Sequence, residues 1–116
     1  MREQFISSVK EFLIEKGFIE NEDSFEKTIK YTQQGGTVII NGQQISQQNK
    51  EVEIKFMVKE FGDGYYSDTN DDNKIEFTQF ELFSFSNNEL KSIATIAYRW
   101  DDINNFKKDL TNTFNL

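Results

Sequence analysis

The run Glu51-Val52-Glu53-Ile54-Lys55-Phe56-Met57-Val58-Lys59-Glu60-Phe61 constrains the fold more than any other stretch. Val52, Ile54, Phe56 and Val58 share one parity, and Glu51, Glu53, Lys55 and Lys59 share the other. Successive side chains of a strand point to opposite faces, so this period of two specifies a half-buried strand. Val52, Ile54, Phe56 and Val58 are expected to face covering helices. Met57 and Phe61 put apolar side chains on the second face. The run reads as the central strand of a sheet.

Its partners can be sought on either side. Downstream, Gly62-Asp63-Gly64 reads as a turn, Tyr65-Tyr66 follow, and Asp68 to Asn73 form a polar loop. The return arm carries Ile75, Phe77, Phe80, Leu82, Phe83 and Phe85. A period of two cannot put all six on one face. A bulge near Thr78-Gln79 would restore the register. Without a bulge there, Phe83 and Phe85 lie opposite Phe80 and Leu82. Both arrangements leave aromatic rings outside a one-sided core. Upstream, Ser24 to Gln33 alternates, with Phe25, Ile29 and Tyr31 on one face and Lys27 interrupting it. Gln34-Gly35-Gly36 reads as a turn. Thr37 to Ile40 and Gln43 to Ser46 flank Asn41-Gly42, the pair that suits a two-residue type I′ hairpin. Ser86 to Glu89 reads as a turn and also as a capping box. Residues 90–100 therefore fit a helix or a strand, and Ile96, Tyr98 and Trp100 favour the strand.

Helices close both ends. Phe5, Ile6, Val9, Phe12 and Leu13 form one stripe of 3.6-residue period, predicting a helix over 2–16. Gly17 stands where a left-handed C′ residue ends it, and Phe18 is placed for the accompanying apolar contact. After Asp101-Asp102, Ile103, Phe106, Leu110 and Phe114 predict a second helix. The fold class is α+β in a single domain, 1–116: N-terminal helix, antiparallel meander sheet of four to five strands, C-terminal helix, two layers.

Three absences limit the chemistry. Without Cys there are no disulfides, thiolate nucleophiles or cysteine-held zinc. Without His the usual base near neutral pH is missing. Without Pro the elements end only at Gly, Asn and Asp. No phosphate-cradling glycine motif occurs, so the chain reads as non-enzymatic, with no cofactor and no resident metal. No apolar run approaches the roughly 18 residues of a membrane span, and no signal-peptide pattern opens the chain. A cytoplasmic location is the expectation. Lys outnumbers Arg and Asn is abundant, the mark of an AT-rich coding sequence, which fits low-GC bacteria, their phages and plasmids.

Charge points to function. Residues 51–89 hold 3 Lys/Arg and 10 Asp/Glu, a net −7 equal to that of the whole chain. An acidic surface of this kind disfavours nucleic acid and attracts basic partners. The expected interface comprises Glu51, Glu53, Glu60, Asp63, Tyr65, Tyr66, Asp68, Asp71 and Asp72, with the tyrosines as anchors. The expected role is a small acidic protein-binding module. It would be an inhibitor, an immunity protein, or an anti-defence protein of DNA-mimic or anti-CRISPR-like type, acting on a basic protein such as a nucleic-acid-processing enzyme. One alternative is a phage or mobile-element structural or assembly protein that forms homo-oligomers through exposed aromatic rings.

A second alternative is a weak calcium module. Asp68, Asn70 and Asp72, with Lys74, Ile75 and Glu76, resemble an EF-hand loop over residues 68–79. Asn73 replaces its glycine and Gln79 its bidentate glutamate.

Overall fold

The computed structural model describes residues 1–67, 74–86 and 88–116. Helix α1 (Arg2–Glu15) is followed by strands β1 (Ile19–Glu20), β2 (Ser24–Gln33), β3 (Thr37–Ile40), β4 (Gln43–Ser46), β5 (Lys50–Ser67), β6 (Lys74–Ser86) and β7 (Glu89–Arg99). Helix α2 (Ile103–Phe114) closes the chain. The antiparallel sheet runs β1-β2-β5-β6-β7, with β5 in the centre, and both helices lie on one side of it. The chain is an α+β fold of two layers. No helix among the described residues is long and apolar enough to cross a membrane.

Strands β2 to β5 form a single long hairpin. The pairs Ser24–Lys59, Gln33–Lys50, Thr37–Ser46 and Ile40–Gln43 keep one register, with no residue gained or lost between them. The ladder loosens only around Gly35, where the Gln47 amide still donates to the Gly36 carbonyl at 2.8 Å. Asn41 and Gly42, at φ 52° and 78°, make the turn that their sequence predicts. The hairpin explains the elongated shape, 74 × 28 × 22 Å.

The core lies where the helices cover β5, β6 and β7. Phe5, Val9, Phe12 and Leu13 of α1 and Phe106, Leu110 and Phe114 of α2 are buried against Val58, Phe80, Leu82 and Tyr98. Phe106 has no exposed surface and meets Phe5, Phe12 and Tyr98 edge-on. Gly17 (φ 91°) ends α1, and Phe18 is buried as expected. Lys27 interrupts the apolar face of β2 for a local reason: its ammonium donates to the Lys16 carbonyl at 2.7 Å, satisfying a free acceptor at the α1 C-terminus.

Several sequence expectations are corrected. Gly62-Asp63-Gly64 is no turn, because β5 continues through it to Ser67. The register shift lies on β5, between Glu60 and Gly62, where Phe61 is the extra residue. Gly62 sits there at φ 151°, which glycine adopts readily. The bulge is thus across the ladder from Gln79 and Phe80, and β6 itself runs without interruption. Residues 89–99 are strand, the reading favoured for 90–100, but with an unexpected shift of their own between the Leu82 and Phe83 pairings. Phe56 and Val58 do lie under the helices, Phe56 stacked on Phe114 at 4.7 Å. Val52 and Ile54 share their face but extend beyond the helical layer, so they are not part of the core.

Candidate functional site

The bulge divides the carboxylates of β5 between roles. Past Phe61 the parity flips, and Asp63 pairs with Thr78 on the helix side. The Arg2 guanidinium, at the start of α1, donates to Glu60 and to Asp63, the latter at 2.7 Å. The Thr78 hydroxyl donates to the other Asp63 oxygen at 2.7 Å and accepts the Trp100 indole N–H at 2.9 Å. Burial alone would raise the Asp63 pKa. The hydrogen bonds from Thr78 and Arg2, with the guanidinium charge, outweigh it and hold this carboxyl below its ordinary value. Glu60 and Asp63 are therefore paired with Arg2 and tie α1 to the bulge, although their side chains stay 41% and 42% exposed.

Among the described residues, no helix or loop covers the other side of the sheet. Register places Met57, Phe77, Phe83, Phe85 and Leu90 there, with Tyr66 and Ile75 towards the β5–β6 end. The Phe77 ring lies over Gly64, where an added Cβ would meet it at 2.7 Å, and against Tyr66 at 6.3 Å. Phe85 and Leu90 are a cross-strand pair, 37% and 53% exposed. Among the described residues of this face, Glu26, Glu51, Glu53 and Glu81 are matched by Lys30, Lys55, Lys59 and Arg99. A chain of net −7 thus presents one neutral face studded with aromatic rings.

The nine residues expected to form one interface are not gathered into one patch. Glu51 and Glu53 lie on the open face near one end of β5. Tyr65 and Tyr66 lie near the other end, about 45 Å from Glu51 at the usual strand rise. The two tyrosines point to opposite faces. Tyr66 joins Phe77, while Tyr65 is on the helix side with the Lys74 ammonium 4.8 Å from its ring. Asp68, Asp71 and Asp72 lie outside the described residues. So does the first half of the calcium-like loop, while its second half, Lys74 to Gln79, is strand β6 in place of loop and helix. Among the described residues no three acidic side chains converge.

Phe83, Phe85 and Met57 were signalled by parity conflicts in the sequence. Phe77 and Leu90 were not: the face of Phe77 turns on whether β6 carries a bulge, and that of Leu90 on the extra residue Ile93 of β7, which no local pattern announces. Comparison with protein families, curated proteins and solved structures gives no match to this chain.

Proposed function

We propose that this chain is a non-enzymatic assembly protein that self-associates through the open face of its sheet. One observation carries the reading: helices cover one face only, and the uncovered face is both aromatic and electrically neutral. Like-charged copies repel at most surfaces, but not where each face sums to zero. Strands β2, β5, β6 and β7, about 4.8 Å apart and averaging about 43 Å in length, present about 800 Å² per copy, the usual share of a specific interface. Two such faces stack as a sheet sandwich does.

Sedimentation velocity across a wide concentration range tests this. The parent is expected to gain mass with concentration, with little effect of salt. Phe85→Glu with Leu90→Glu, at two exposed positions, is expected to lose that contact while the circular dichroism is unchanged. Unaltered association in this variant would refute the reading.

A second reading keeps the acidic module acting on a basic protein. It is favoured by the placement of charge, since a neutral open face leaves the whole −7 to the helical side, the edges and residues 68–73. Binding of that kind would weaken steeply with salt.

A further inference from the structure

We infer that the distal part of the long hairpin is a second self-association surface, in which the arm of one copy packs along the arm of another. This goes beyond the open-face reading and uses different residues.

Pairing of β5 with β6 ends at Lys55–Phe85. Among the described residues, β5 from Ile54 back to Lys50 has β2 as its one partner, and β3–β4 continue the same ribbon to its tip. An isolated two-stranded ribbon is marginally stable in water, so it needs cover. Its helix-side face supplies something to cover: Ile29 pairs with Ile54 and Tyr31 with Val52, all beyond the helical layer. At the tip Val38, Ile39, Ile40 and Ile45 are exposed, Ile39 continuing this face and the other three pointing to the opposite one.

Charge identifies the occupant. Residues 28–54 carry Lys30, Lys50, Glu51 and Glu53, a sum of zero in a chain of net −7, and of these only Lys50 shares the face of Ile29, Tyr31, Val52 and Ile54, which holds no carboxylate. A basic partner finds no complementary field on the arm. A second arm, equally apolar and neutral, meets no penalty. Contact along projecting arms also holds the charged bodies apart in a molecule 74 Å long, against a screening length of about 8 Å.

A ribbon about 10 Å wide and about 40 Å long presents about 400 Å². Two copies then bury about 800 Å², below the roughly 1,200 Å² of a stable specific interface. The arm contact is the weaker of the two. A chain with two separate self-contacts grows beyond a dimer.

Sedimentation velocity on three variants separates the contacts. Phe85→Glu with Leu90→Glu is expected to retain a weak, salt-insensitive association. Tyr31→Asp with Val52→Asp is expected to stop growth at the dimer held by the open face. The four substitutions together are expected to give a monomer. Because the arm substitutions could also unzip the ribbon, a second measurement leaves it intact. The chain has no Cys, so Tyr31→Cys treated with a short bis-maleimide reports arm contact directly. Linked dimers are expected there, and none from Glu11→Cys on the exposed side of α1. A monomeric open-face variant together with no linkage through Tyr31→Cys would overturn the arm contact and leave the open-face reading standing. Loss of all association in the arm variant alone would do the reverse. A parent that stays monomeric throughout would overturn both.

Discussion

Replacing Thr78 by valine (Thr78→Val) probes the clamp that holds Asp63 between Arg2 and Thr78. Thr78 is fully buried. Its hydroxyl holds Asp63 at 2.7 Å and Trp100 at 2.9 Å. Valine keeps the shape and removes both bonds. A hydrogen bond to a charged group contributes about 1.5–3 kcal/mol, and a buried donor left unpaired costs about 1–3 kcal/mol. The Asp63 side chain is 42% exposed, so water restores part of its solvation and the lower figure applies. The added methyl offsets under about 1 kcal/mol. The net loss is expected to be about 2–3 kcal/mol. Urea unfolding followed by the fluorescence of Trp100, the single tryptophan, measures it. Thr78→Ser keeps the hydroxyl and is expected to lose much less. The pH dependence has a definite sign. A carboxyl whose folded pKa is depressed contributes stability above its unfolded pKa, about 3.9, and loses it as pH falls through the folded value. The gap between parent and Thr78→Val is therefore expected to narrow in acid. A valine variant within about 0.5 kcal/mol of the parent, the scatter of ordinary surface changes, would refute the clamp.

Two further outcomes follow from single side chains. Burial first, then the hydrogen bond to Asp109 at 2.7 Å, raises the Tyr98 hydroxyl pKa well above its ordinary value. Its contribution is complete below the unfolded pKa of about 10 and lost as pH rises beyond it, so Tyr98→Phe should flatten the alkaline fall of stability seen in urea titrations of the parent. Gln79 pairs with Gly62 and Ala97 within the sheet and cannot act as the bidentate ligand of a calcium loop. Calorimetry is expected to show no calcium binding tighter than about millimolar, and micromolar binding abolished by Asp68→Ala would contradict that.

Most of the fold was legible because periodicity reports local geometry. The 3.6-residue stripes of α1 and α2, the alternation of β2 and β5 and the Asn41-Gly42 turn all depend on neighbours in sequence. The bulge was misplaced for a reason of the same kind. The parity change between Phe77 and Phe80 allows either a bulge on that strand or rings on opposite faces, and local pattern does not choose. β6 is regular, so Phe77, Phe83 and Phe85 take the open face while Phe80 and Leu82 face the helices, and the bulge is on β5 at Phe61. The reach of the helices was hidden too. Val52 and Val58 look alike in the alternating run, yet only Val58 lies under the helical layer, because α1 and α2 are shorter than the hairpin.

The candidate surface was misjudged because a linear charge count ignores strand pairing. Ten carboxylates between Glu51 and Glu89 look like one acidic patch when summed along the chain. Folding sorts them by parity and by partner. Glu51, Glu53 and Glu81 go to a face where lysines and Arg99 balance them. Glu60 and Asp63 meet Arg2, which no local pattern links to them because it stands at the other end of the chain. What remains on the open face is its apolar content, and under the proposed self-association apolar contact without net charge is what would let a chain of −7 meet its own copy. The excess charge would then have a use other than binding. Spread over the other surfaces, it would disfavour every contact between copies except the neutral ones, and so limit the orientations in which copies assemble.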